Sequence, residues 1–214
     1  MNRADIIQIF RTENPEITSR VITDSLLYDW CKQGDKEICA ITRCIVGDTT
    51  FTCAEDDEYW DLTVKIPKFY DIDEYPGGGV SYDDDRLTLT TIAELDNKSS
   101  GWRTRSSGEP KNYFRRGKHI YTDRPCLEAK SIHIYTILIS DDFDSDTDKP
   151  YNNLTYLEPF HYGINKYLQW KAKEKIGKQS EASTAKNEFF DFTKWMKSML
   201  GGNKFSPITY EKMV

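Results

Sequence analysis

The sequence predicts an α+β protein: a helical bundle formed by N- and C-terminal helices, with an inserted, mainly antiparallel β-sheet region. Two observations lead there. Near both ends, apolar residues recur at the i, i+3, i+4, i+7 spacing of amphipathic helices, whereas between about residues 50 and 140 the period falls to two. A third supports a packed interior: aromatic residues make up 13% of the 214-residue chain, although 30% of it is charged and only 38% hydrophobic.

Residues 1–48 are expected to supply the N-terminal helical part, 49–150 the inserted β region, 151–202 a closing helix pair, and 203–214 an extended C-terminal arm. From Thr23, with Thr23 or Asp24 as cap, Leu27, Trp30, Cys31, Gly34, Ile38, Ile41 and Ile45 share one helix face. A glycine inside a helix costs about 1 kcal/mol against alanine, so Gly34 is expected to serve a close helix–helix approach. The segments "YWDLTVKI" and "RLTLTTIAEL" alternate as half-buried strands do. "SIHIYTILIS" is apolar on both faces and reads as a central strand covered on two sides. "SYDDDRL" reads as a turn before a strand. Near the C-terminus, Phe160, Ile164, Tyr167, Leu168 and Lys171 follow Pro159 at helical spacing, and Gly177 ends that helix. A last helix begins near Ser183, carries Phe189, Phe192, Trp195, Met196 and Met199 on its apolar side, and stops at Gly201–Gly202.

The formal net charge is −6, which speaks against a protein whose main task is to coat nucleic acid. Cysteines 31, 39, 44, 53 and 126 include no C-x-x-C pair, so buried free thiols in a reducing compartment are expected rather than a metal site or a disulfide framework. No run of about 18 apolar residues occurs. The opening "MNRADIIQIF" is too broken for a signal peptide, and a soluble, cytosolically made protein is expected.

The densest basic stretch is "GEPKNYFRRGKHIYTDRPC". A phosphate-binding loop requires G-x-x-x-x-G-K-[ST], but here Asn112 holds the first glycine position and His119 the hydroxyl position. A β-hairpin turning at Gly117-Lys118 fits better, with Phe114 opposite Tyr121, Arg115 opposite Ile120 and Arg116 opposite His119. Alternation then sends Arg115 and Arg116 to opposite faces, a poor arrangement for one basic groove. Arg103, Arg105, Arg115, Arg116 and Lys118 are the candidates for a DNA-facing or partner-facing hairpin tip.

Asp142, Asp144 and Asp146, continued by Asp148, alternate like the start of a calcium loop, and the first three are the candidate cation ligands. The glycine and glutamate that such a loop needs at its sixth and twelfth places are replaced by Thr147 and Asn153, so a solvated connection is the better reading. His119, His133 and His161 lie in no nucleophile, zinc or triad motif. Neither catalysis nor a cofactor is expected.

The order of features nevertheless has a counterpart. A helix "LLYDWCKQGDKEICAITRCI" leads to a short strand "TTFTC", then to an aromatic strand "YWDLTVKIPKFYDI". A G-x-P-x-x-Y segment follows, made by Gly108, Pro110 and Tyr113. Two strands, "KHIYTDRP" and "SIHIYTILIS", come next, and the helices in "LTYLEPFHYGINKYLQWKAKEKIG" and "NEFFDFTKWMKSML" close the order. Over residues 23–200 this order resembles the phage head-tail connector proteins, also called portal adaptor or neck ring proteins. The chain departs from shorter members in its longer middle sheet, its Asp-rich loop and its tail "NKFSPITYEKMV".

The resemblance implies a virion structural protein without chemistry of its own, assembled in the host cytoplasm into a ring of about twelve copies beneath the portal protein. Such a ring extends the DNA channel, contacts the passing genome without sequence specificity, and docks tail or further neck proteins. Phe205, Pro207, Ile208 and Tyr210 of the arm are the candidate partner-binding residues, too few to build a core alone. Two rival readings stand beside it: a nucleic-acid-binding module using the basic hairpin, and a β-rich glycan-binding domain suggested by Trp60, Trp102 and the tyrosines.

Overall fold

A computed structural model of the chain describes residues 1–74, 78–99, 101–141 and 143–202. The first half contains α1 (Arg3–Glu13), α2 (Asp24–Thr42), β1 (Val46–Thr52), β2 (Tyr59–Asp61), α3 (Leu62–Lys65), β3 (Phe69–Ile72), β4 (Val80–Tyr82), β5 (Asp85–Arg86), β6 (Thr88–Leu89) and α4 (Ile92–Lys98). The second contains β7 (Asn112–Arg116), β8 (His119–Thr122), β9 (Ser131–Leu138), α5 (Tyr162–Lys175) and α6 (Gln179–Gly202). The fold is α+β, with helices from both chain ends and antiparallel-rich sheets between them. Two compact units result: a helical unit made of residues 1–45 and the described residues from 139 onward, and a β unit made of residues 46–138.

In the helical unit, α1 opens with a capping box. The Asn2 side chain accepts from the Asp5 amide and the Asp5 carboxylate accepts from the Asn2 amide, each at 2.9 Å. Thr23 caps α2 by accepting from the Leu26 amide, and α2 buries Leu27, Trp30, Cys31, Ile38 and Cys39. It ends at Arg43, which takes the left-handed conformation (φ 57°), so Ile45 lies beyond the helix rather than on its face. Gly34 has the role expected of it: a Cβ there would stand 2.8 Å from Cδ1 of Tyr167 on α5. Tyr167 is itself held between Trp170 and Phe189, at ring-centroid distances of 5.4 and 5.3 Å.

Two boundaries differ from expectation. Pro159 sits in a 3-10 turn (Thr155–Phe160), and α5 begins only after it, at Tyr162. Gly177 does end α5, with φ +78° and the Lys178 amide donating back to the Lys173 carbonyl. Helix α6 starts at Gln179, ahead of Ser183, because its first turn is polar and leaves no mark in the apolar pattern, and it ends at Gly202, within the expected Gly201–Gly202 pair.

The segment returning from the β unit, residues 139–153, packs as part of the helical unit. Asp35, 1% exposed on α2, accepts from the Ser140 hydroxyl and from the Tyr151 amide (3.0 Å). Tyr151, Asn152 and Asn153 all have left-handed φ (54°, 55° and 58°), a local strain of about 1–2 kcal/mol per residue that the surrounding bonds must hold. Those bonds include Tyr151 Oη donating to the Phe160 carbonyl (3.1 Å) and the Asp141 amide donating to Asn152 Oδ1 (2.7 Å).

The β unit has two sheets. In the first, β9 pairs with β1 along one edge and with β3 and β4 along the other, and β5 extends it from β4. "SIHIYTILIS" is thus central, as expected, but covered unequally: Ile132, Ile134 and Thr136 are fully buried while His133 and Tyr135 are half-buried. Asp83 and Asp84, both at positive φ, turn β4 into β5 as the aspartate run implied. The second sheet runs β2-β8-β7-β6, antiparallel except for β6 with β7. One core, including Trp60, Ile66, Phe69, Tyr113, Ile120 and Ile134, spans strands of both sheets.

Two expected strands are broken by helix caps. In "YWDLTVKI" only Tyr59–Asp61 is strand, because the Asp61 carboxylate accepts from the Thr63 amide and turns the chain into α3. In "RLTLTTIAEL" the reciprocal Thr91–Glu94 box starts α4.

Substituting Gly34→Ala should destabilise the protein by roughly 1–2 kcal/mol, the overpacking against Tyr167 exceeding the gain in helix propensity. Chemical denaturation measures it, and an unchanged or raised midpoint would contradict the packing.

Candidate functional site

The hairpin of β7 and β8 forms in the expected register, with Phe114 opposite Tyr121, Arg115 opposite Ile120 and Arg116 opposite His119. Gly117 occupies the first turn position at φ +62°. Tyr113, Ile120 and Thr122 face the core. On the outer face the rings of Tyr59, Tyr121 and Phe114 form an offset column, with centroids 5.5 and 5.2 Å apart and interplanar angles of 27° and 11°. Trp102 closes one end edge-on, 5.6 Å from Phe114, and Leu95 of α4 completes this small second core. Tyr59, at the other end, is exposed.

The basic residues are dispersed into separate pairings. Arg103 lies over the Trp102 ring (4.8 Å) and bridges to Asp96 (2.7 Å). Hydrogen bonds from Arg103, and next from Trp102, hold the Asp96 carboxyl below the usual range. Arg105 reaches the buried Asp123 (3.4 Å). Arg115 pairs with Asp71 and with Glu74 (3.3 Å), and Lys118 donates to the Phe69 carbonyl (3.2 Å). Among the described residues only Arg116 of the five has no polar partner. Arg115 and Arg116 do point to opposite faces of the hairpin, and no single basic groove is formed.

The acidic loop is likewise neutralised. Asp144 pairs with Lys32, and Asp146 receives Arg3 through Nε (3.2 Å) and Nη2 (2.8 Å). Asp148 accepts from the Ser145 amide at 2.8 Å. Asp142 lies outside the described residues, as do Phe205, Pro207, Ile208 and Tyr210. Among the described residues no group of three His, Cys, Asp or Glu is arranged to hold a metal.

The five cysteines are free and buried, as expected. Burial pushes the Cys31 thiol up to about 12, the opposite of what a nucleophile needs. His119 faces Asp61 at 3.5 Å and His133 pairs with Asp48. His161 is fully buried. Its Nδ1 lies 3.0 Å from the Met1 amino group, and its Nε2 is enclosed with no hydrogen-bond partner in the protein. Burial first, and the amino charge second, lower its pKa to about 4.

Sequence reasoning did not find the feature beside the aromatic column: a cleft of about 230 Å³ lined by Glu58, Trp102, Arg103, Phe114, Tyr121 and Arg124 among others. The alternation of β7 and β8 places Phe114 and Tyr121 on one face, but nothing in it brings Trp102 or Arg124 to them. Trp60, singled out with Trp102, is 2% exposed in the main core and has no part in this surface.

No protein-family model matches the chain, and no curated protein matches it significantly.

His161 makes stability depend on pH. Unfolded, it takes up a proton near 6.5, whereas folded it stays neutral down to about 4. The unfolded state therefore binds more protons between those values. The His161 contribution to stability is complete above pH 6.5 and is lost by up to about 3 kcal/mol as pH drops to 4, at about 1.4 kcal/mol per unit. Denaturation curves at stepped pH should show this slope, and His161→Gln should flatten it; identical slopes would remove His161 as the cause.

Proposed function

We propose that the protein is a structural ring component of a phage neck. In this reading it binds beneath the portal protein, lengthens the DNA channel, and offers tail or further neck proteins a surface, with no reaction of its own. The observation that carries the reading is the division of the chain. Helices from both ends make one unit and the whole of residues 46–138 makes another, which fits the order of helix, strands and closing helix pair on which the resemblance to head-tail connectors rests.

Two further features support it. Helix α6 leaves Trp195 and Met199 each 48% exposed, with Phe192 beside Trp195 (5.5 Å), an apolar seam of the kind that marks association surfaces. The cations of the basic stretch are mostly held by carboxylates and carbonyls, which suits a wall past which DNA slides without adhering.

Quantitative mass spectrometry of purified particles of the encoding virus is the direct test. About twelve copies per portal ring are expected, and absence from particles would overturn the proposal. Removing residues 203–214, with Phe205, Pro207, Ile208 and Tyr210, should leave melting of the helical unit unchanged while weakening ring or portal association in light scattering. Normal assembly of the truncated chain would exclude a partner-binding arm.

A further inference from the structure

We propose that the cleft beside the aromatic column binds one ring of a neutral saccharide. The inference does not depend on the ring reading. Its first support is size: about 230 Å³ lies below the roughly 300–1,000 Å³ of pockets for drug-sized ligands, so the occupant is a single ring.

The second support is the apolar wall. Phe114 and Tyr121, parallel to within 11°, and Trp102 edge-on at 5.6 Å are fixed by one another, and Trp102 Nε1 is tied to Asp96 at 2.8 Å. Phe114 and Trp102 are themselves buried, so the wall is rigid before a ligand arrives, and the half-buried Tyr121 is the ring it presents. An aromatic wall joined to a polar rim matches a pyranose, which is apolar on its ring faces and hydroxylated around its edge.

The third support is the balance of charge, which decides the class of ligand. Arg103 is matched by Asp96, while Arg124 and Glu58, of opposite sign, both line the cleft. Asp123, also at the wall, is committed to the Lys111 and Asn112 amides (3.0 Å each) and to Arg105, so it shapes the loop rather than the ligand. The cleft thus offers donors and an acceptor without net charge. A phosphate-bearing ligand would meet Glu58 and Asp123 with no excess of cations to offset them. A neutral ring, whose hydroxyls both donate and accept, is the complement.

The test uses the full chain and, as probes, the methyl glycosides of glucose, galactose, mannose and N-acetylglucosamine, read by saturation-transfer NMR and followed by an array of neutral glycans. At least one probe should bind saturably, with millimolar affinity that does not change with salt. Arg124→Gln and Glu58→Ala, both at the rim and away from the core, should each weaken binding about tenfold; Tyr121→Ala should abolish it, with circular dichroism reporting its fold. Three results would overturn the proposal: no response across glycosides and array, binding unaffected by both rim variants, or salt-sensitive binding of an oligothymidylate in place of the sugars.

Discussion

Antiparallel pairing of β1 with β9, in register from Val46 opposite Ile137 to Thr52 opposite Ser131, sets side by side the points where the chain enters and leaves the β unit. A helical unit assembled from two distant stretches of chain would otherwise carry the entropy of closing a long loop, a cost that grows as the logarithm of loop length. Here the sheet closes that loop itself. The helices from the two chain ends can then pack on one another, as Gly34 of α2 does against Tyr167 of α5.

What remains to be fixed is the path of the returning chain, and polar groups fix it. Asp35, Arg3 and Lys32 converge on residues 139–151 from α1 and α2. A buried carboxylate such as Asp35 is costly unless its oxygens accept hydrogen bonds, and those it accepts from Ser140 and Tyr151 are directional, so they select one path where apolar packing would tolerate several. The strained left-handed turn at Tyr151–Asn153 is the local consequence. The same bonds explain why the described part of the Asp-rich stretch belongs with the helices rather than with the β insertion, with Asp144 facing Lys32 and Asp146 facing Arg3.

The fold was largely legible in the sequence because periodicity reports burial. The faces of α2 and α5, the hairpin register, the central β9 and the tight approach at Gly34 are all consequences of which residues must leave water, whereas the face expected of α6 buries Phe189 and Met196 but leaves Trp195 and Met199 exposed. The errors cluster where a short-range signal competes with the period. Asp61–Thr63 and Thr91–Glu94 cap helices inside segments that alternate like strands, and the polar first turn of α6 lacks any apolar mark. The aromatic cleft was legible only in part. Alternation pairs Phe114 with Tyr121, yet Trp102 and Arg124 arrive from elements whose position depends on tertiary packing, which no spacing along the chain encodes.

Charge pairing also decides how the surface appears to a distant partner. The chain's 35 carboxylates outnumber its 29 lysines and arginines, and the densest basic stretch has most of its cations matched by neighbouring acids or carbonyls. Within a Debye length of about 8 Å at physiological salt, the paired charges largely cancel and the surplus acid sets the sign of the field, which disfavours phosphate; farther out salt screens it. At contact distance the field matters less than local chemistry: the seam at Trp195 and Met199 offers apolar area, and the aromatic column ends in the exposed ring of Tyr59. Both surfaces favour partners selected by shape and desolvation over partners attracted by charge.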